Sequence, residues 1–217
     1  MQIIREVDVA AAPDAMTRAP LRTVRPQDLA NVYTQPNVQL ARLVRQGVVR
    51  RAAPGLYYAL PDDRERDWVP TLEGLAAGAA TALYGDRVPV LMHLTAARVH
   101  GALPRAIGVA VVAVPGQHRP LQVADRAEGT ITFVTRDVDA LDAVLLRTDL
   151  GPALVTTPEQ TVLDLTKRPH LGGLPAESED AVRTLLPRCA PERLERLAEE
   201  QRMGATLKRL RAAHAPA

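Results

Sequence analysis

The chain has 217 residues, 47% of them hydrophobic and 24% charged, with a formal net charge of +2, which is the make-up of a soluble globular protein with room for one large domain or two small ones. One cysteine, Cys189, excludes an internal disulfide and a cysteine-built zinc framework and fits a reducing cytoplasm, while 3% aromatic residues argue against a surface that stacks single-stranded bases. The most apolar run, 106–115, is far short of the ~20 residues that span a bilayer, and the acidic start (Glu6, Asp8, Asp14) is unlike a signal peptide, so neither a membrane nor export is implied.

The small net charge hides an asymmetry. Between Arg18 and Leu60 stand Arg18, Arg22, Arg25, Arg42, Arg45, Arg50 and Arg51, opposed by Asp28 alone. A local excess of this kind attracts phosphates. Residues 137–149 lean acidic instead, which points to two functional halves.

Residues 3–17 are compatible with a first helix. Thr23-Val24-Arg25 resembles a short strand, and Pro26 to Ala30 opens a short helix with proline in its first turn. Asn31 to Gln35 reads as a polar turn. A second helix is predicted over Pro36 to Gln46, stopped by Gly47. On a helical wheel Leu40, Ala41, Leu43 and Val44 form a core-facing stripe, with Gln39, Arg42, Arg45 and Gln46 opposite and Val38 at their edge. Val48 to Arg51, the Pro54-Gly55 turn and Leu56 to Leu60 then read as a β-hairpin.

Short helix, turn, second helix and basic hairpin are the parts of a winged helix-turn-helix. In that reading Gln39, Arg42, Arg45 and Gln46 meet base edges in the major groove, and Arg22, Arg25, Arg50 and Arg51 hold phosphates. The plainer reading is a solvated arginine face, or a winged helix that binds only proteins.

Pro61 to Asp67 is a charged linker, dividing a DNA-binding domain (1–62) from a partner-binding domain (68–217). Beyond it, helices are expected at 68–84 and 93–101, with a short apolar segment at 88–92 between them. Ile107 to Val114 is a β-branched buried strand; Thr130 to Thr135 and Ala143 to Thr148 are strands expected to pair with each other, followed by a short strand at 153–155. Thr157-Pro158-Glu159-Gln160 is a capped helix start. Helices at 175–186 and 191–202 precede a basic tail carrying Arg202, Lys208, Arg209 and Arg211. The fold class is α+β: an N-terminal winged helix-turn-helix, then a larger mixed domain with a small sheet surrounded by helices.

Three segments resemble the AbiEi family, the antitoxins of type IV abortive-infection toxin–antitoxin systems. Leu43-Val44-Arg45-Gln46-Gly47-Val48-Val49-Arg50-Arg51, ending at Pro54-Gly55-Leu56-Tyr57, looks like the family's recognition helix flowing into an R-x-x-x-G-x-Y wing. His93-Leu94-Thr95-Ala96-Ala97-Arg98-Val99-His100-Gly101 and Thr157-Pro158-Glu159-Gln160-Thr161-Val162-Leu163-Asp164-Leu165 are similar to two of its helices. Leu94 and Gln160 depart from the pattern, standing where a polar residue and an arginine are common. The resemblance implies an autorepressor that binds repeats in its own promoter, in some cases as an oligomer on those repeats. It also implies an antitoxin, part of phage defence, that counteracts a nucleotidyltransferase-type toxin. A winged-helix regulator with a ligand- or protein-sensing second domain is the alternative.

No catalytic, metal or cofactor site is expected. His93 and His100 share a helix face but lie two turns apart with no supporting ligand cluster. Asp164 reads as a structural acid paired with Arg98 or Arg168. Cys189 reads as a small hydrophobe, and Leu171-Gly172-Gly173-Leu174 lacks the Lys and Ser/Thr of a phosphate loop. The basic tail reads as a solvated helix end, an added phosphate contact or a dock for an acidic partner.

Overall fold

A computed structural model describes residues 12–124 and 129–214, so most of the first helix expected at 3–17 lies outside the described residues. What is described of it is one turn, α1 (Asp14–Thr17). A 3-10 turn at Pro20–Arg22 leads into β1 (Thr23–Val24), and the short helix expected from Pro26 is a second 3-10 helix, Pro26–Leu29. Its proline sets the first turn, and the Asp28 carboxylate accepts from the Arg25 backbone N–H at 2.8 Å, a cap that closes four residues and carries no further.

Helix α2 spans Pro36–Arg45 and ends at Gly47, which takes a φ of +75° that a side chain would resist. The hairpin follows directly as β2 (Val49–Ala53) and β3 (Leu56–Ala59), and β1 adds to it, giving an antiparallel three-stranded sheet in the order β1-β3-β2. Met16, Leu29, Leu40, Leu43 and Val49 close a small core beneath α2. The core stripe of α2 is narrower than the wheel predicts. Leu40 and Leu43 are buried, whereas Ala41 and Val44 face water, because the small unit offers a helix only one packed side.

The larger unit begins at α3 (Leu72–Tyr84), four residues later than expected, because Pro70 and the Thr71 cap set its start; Thr71 Oγ1 accepts from the Gly74 N–H at 3.2 Å. Next come β4 (Val90–Leu91), α4 (His93–Val99), β5 (Val109–Val114), β6 (Leu121–Gln122), β7 (Thr130–Thr135), β8 (Ala143–Thr148) and β9 (Gly151–Thr156). The six strands form one mixed sheet in the order β6-β7-β5-β4-β9-β8. β7 pairs in parallel with β5, and β8 pairs with β9, not with β7 as expected. The reason is local: Asp149 and Leu150 make a tight turn that folds β8 straight back onto β9, with Thr148 Oγ1 bonded to the Gly151 carbonyl at 2.7 Å.

Helices α5 (Pro158–Lys167), α6 (Pro175–Leu185), α7 (Pro191–Glu200) and α8 (Gly204–Ala213) complete the chain. The basic tail is therefore the helix α8, anchored by Leu207 and Leu210 against α5 and its neighbours. The whole is α+β.

The segment 61–67 is exposed coil, but packing does not stop there. Leu21, Leu56, Tyr58 and Leu60 share a core with Leu72, Leu75 and Ala79 of α3 and with Val112 and Val155 of the sheet beyond. The Ala124 N–H donates to the Ala52 carbonyl at 2.9 Å, tying the hairpin to the end of β6. At Gly78 the helix approaches β1 so closely that a Cβ would lie 2.3 Å from Thr23 Oγ1.

Candidate nucleic-acid interface

The residues expected to contact DNA fall into three environments. Arg42 and Arg45 project from the exposed side of α2, and Arg51 is exposed on β2. None of the three has a hydrogen bond or ion pair with a described residue. Gln39 and Gln46 are half-buried, on the flanks of α2 and not at the centre of its open face. That centre is held by Val38, Ala41, Arg42 and Arg45, all exposed.

The other arginines are committed within the chain. Arg22 donates to the carbonyls of Ala59 (3.2 Å) and Leu60 (2.8 Å), and its guanidinium lies 3.5 Å from Asp62. Arg25 forms a 3.0 Å ion pair with Asp28, and Arg50 donates to the Arg66 carbonyl. Arg22 in particular stitches β1 to the end of β3, so its donors are spent on backbone that a phosphate would have to replace.

The larger unit uses arginine differently. Asp164 is buried at 2% exposure and pairs with Arg136 at 3.1 Å, not with Arg98 or Arg168. Arg136 follows the end of β7, and the sheet brings it to α5 from 28 positions away, a proximity that no local spacing could reveal. Burial pushes the Asp164 carboxyl above its ordinary range, against the pull of Arg136 and of the Gln160 amide at 3.3 Å. Gln160, the position where the family resemblance leads one to expect arginine, is wholly buried and also bonds Gln201.

Beside this pair, Arg193 holds Asp142 through two bonds of 2.9 and 2.8 Å, and Thr157 Oγ1 donates to the same carboxylate at 2.7 Å. Burial raises the Asp142 pKa, but those bonds and the charges of Arg193 and Arg196 outweigh it and hold the carboxyl below its usual range. Arg98 is likewise fastened, to Glu73 at 3.0 Å and to the carbonyls of Leu103 and Arg105. These contacts pin α5 and α7 to the sheet and α4 to α3.

The histidines point apart. His93 Nε2 meets the Arg168 carbonyl at 3.0 Å and His100 Nε2 the Thr156 carbonyl at 2.7 Å, so each ties its helix to a different part of the α5 region. His93 is buried with a φ of +56°, and burial depresses its pKa to about 4, which keeps the ring neutral. Cys189 is pushed up to about 12 by burial and by the charge of Glu159, so it remains a thiol. Among the described residues, no group of three or more His, Cys, Asp or Glu is placed to hold a metal. No described helix is long and apolar enough to cross a membrane.

The segment that contains the Arg136–Asp164 and Arg193–Asp142 contacts is also the segment that matches a known family. Residues 89–213, more than half of the chain, match the AbiEi antitoxin C-terminal domain. The chain belongs to the AbiEi antitoxin family. Both helix motifs of the family resemblance, at 93–101 and 157–165, fall inside the match, while α2 and the hairpin lie before it. No curated protein matches the chain. Among solved structures, this AbiEi-family protein is similar to the RV2827C protein from Mycobacterium tuberculosis, with a TM-score of 0.55 and 20% identity over 87% of this chain and 69% of that one. At that identity the likeness is one of fold.

Proposed function

We propose that this antitoxin is a cytoplasmic, sequence-specific autorepressor that binds repeats in its own promoter and counteracts a nucleotidyltransferase-type toxin. The observation that carries the DNA-binding half is the set of unpartnered arginines, Arg42 and Arg45 on α2 and Arg51 on the adjoining hairpin, on a helix–turn–helix–hairpin order that fits a winged helix-turn-helix. A guanidinium with no internal partner has five donors to offer a base edge or phosphate without breaking anything first.

In this reading α2 enters the major groove, with Arg42 and Arg45 on base edges and Gln39 and Gln46 at the margins of the contact. Arg51 and Arg50 lie along the flanking phosphates. Arg25 and Arg22 sit closest to the fold and contribute least. Residues 1–62 form the reading domain and 68–217 the partner-facing domain, and the toxin partner rests on family membership. Several copies occupy repeated sites together.

The test is a fluorescence-anisotropy titration of the full chain against its upstream duplex and a scrambled duplex at two salt concentrations. Binding that prefers the upstream duplex and weakens with salt is expected. Arg42→Ala should lose about 1–3 kcal/mol of that preference, and Arg51→Ala should weaken both duplexes alike and flatten the salt dependence. Absence of any preference would remove the reading role and turn attention to protein partners. For the antitoxin half, co-expression of this chain with a nucleotidyltransferase-type toxin should relieve the growth arrest that the toxin causes.

A further inference from the structure

The open face of α2 is not purely polar. Val38 is 62% exposed, the highest value among the large hydrophobic residues described, and Val32 in the turn just before the helix follows at 52%. Val38 lies in the first turn of α2, and Ala41 and Arg42 follow it one turn on, with Arg45 a further turn along the same side. A valine in such a place gains nothing from the fold, since the core beneath is closed by Leu40 and Leu43 on the other side.

Its neighbours say what covers it. The apolar patch is bordered by two arginines with no internal partner, so the occupant is polyanionic yet presents an apolar group at the middle of the contact. The major groove of DNA has that combination: phosphates and guanine acceptors around the C5-methyl of thymine. The first residues of a recognition helix are those that reach base edges, which is where Val38 stands.

We propose that Val38, with Ala41 beside it, is a specificity-determining contact that reads thymine methyl groups, so that the bound sequence places thymine next to the guanines met by Arg42 or Arg45. The inference rests on the DNA-reading role proposed above and adds which base pairs that role selects. It also gives the helix a division of labour: the arginines attract DNA and register guanine, while the valine discriminates T·A from C·G, whose cytosine has no methyl at that position.

Deoxyuridine is the deciding reagent, because it pairs as thymine does and lacks only the methyl. The full chain is titrated against its upstream duplex and against the same duplex with every thymine replaced by deoxyuridine, and then against single replacements. The wild-type protein is expected to lose about fourfold in affinity per contacted methyl, the value of burying one such group. Val38→Ser and Val38→Asn, both polar replacements at an exposed position that leaves the core intact, should bind the thymine duplex more weakly and distinguish it less from the deoxyuridine duplex, with Ala41 retaining the remainder. Equal wild-type affinity for the two duplexes overturns the proposal, as does undiminished thymine preference in both variants. The two failures separate cleanly: upstream DNA preferred over scrambled DNA with no deoxyuridine effect sinks the valine contact alone, whereas no preference for upstream DNA sinks the reading role with it.

Discussion

Arginine serves opposite ends in the two parts of this molecule. In the first sixty residues Arg42, Arg45 and Arg51 stand exposed with no described partner, whereas in the larger unit Arg98, Arg136 and Arg193 are locked to Glu73, Asp164 and Asp142 at 3.1 Å or less. The difference is energetic. A paired, half-buried guanidinium has already given up its water and would have to leave its carboxylate to bind anything else, while an unpaired exposed one has only loosely held water to lose. Residue type and net charge therefore say little about where binding occurs; the partner each arginine already has says more.

That contrast is open to attack at several points. The largest effect is expected at Asp164→Ala, which strands Arg136 and takes one partner from the buried Gln160, and should cost about 3–4 kcal/mol in urea unfolding. Arg45→Ala should stay within about 0.5 kcal/mol of wild type in the same measurement. Similar losses at both positions would erase the distinction.

His93 supplies the next largest effect, through pH. Its ring is depressed from 6.5 to about 4 in the fold, so the unfolded chain takes up the proton first as pH falls. Its contribution is complete above pH 6.5, is lost progressively down to about pH 4 and changes no further below it, a total of about 3 kcal/mol. His93→Asn, which tolerates the positive φ, should flatten the stability–pH curve across that window. An unchanged slope in the variant would place the pH dependence elsewhere.

A more modest loss of stability tests the junction between the parts. Gly78→Ala forces a Cβ against Thr23 and should cost about 2 kcal/mol, with thermal melting as the measurement. Thr23→Ala in the same chain should recover part of that loss, because the 2.3 Å approach to Oγ1 disappears while the 3.2 Å approach to the Thr23 Cβ remains. A Gly78→Ala chain that melts with the wild type would mean the two parts are not held together there.

Local chemistry was legible wherever one short segment contained the whole cause. Gly47 stops α2, Pro54-Gly55 turns the hairpin, and Thr157 caps α5 through the Gln160 N–H at 3.3 Å; each follows from residues within a few positions. What stayed hidden was set by partners far along the chain. Arg136 reached Asp164 only through the sheet, whereas the pairing of β8 turned on a nearby cause without a Pro-Gly or Asn-Gly signal, the tight turn at Asp149 and Leu150. At the candidate interface the same limit applied: a wheel placed Ala41 and Val44 in the core and Val38 at a margin, because it could not know that a helix on so small a unit buries only Leu40 and Leu43. Arg22, Arg25 and Arg50 looked equivalent to Arg51 as letters, and their internal bonds tell them apart.

The core that runs from the hairpin into α3 has a consequence for exchanging parts among proteins of this kind. A cut at the exposed coil of 61–67 looks convenient, yet it would bare Leu21, Leu56, Tyr58 and Leu60 on one side and Leu72 and Leu75 on the other. The first sixty residues are therefore a poor cassette. Grafted onto a foreign body, they would need α3 to travel with them, and with α3 the sheet it lies on, so under the proposed DNA-reading role a new specificity is reached by substitution on α2 in place.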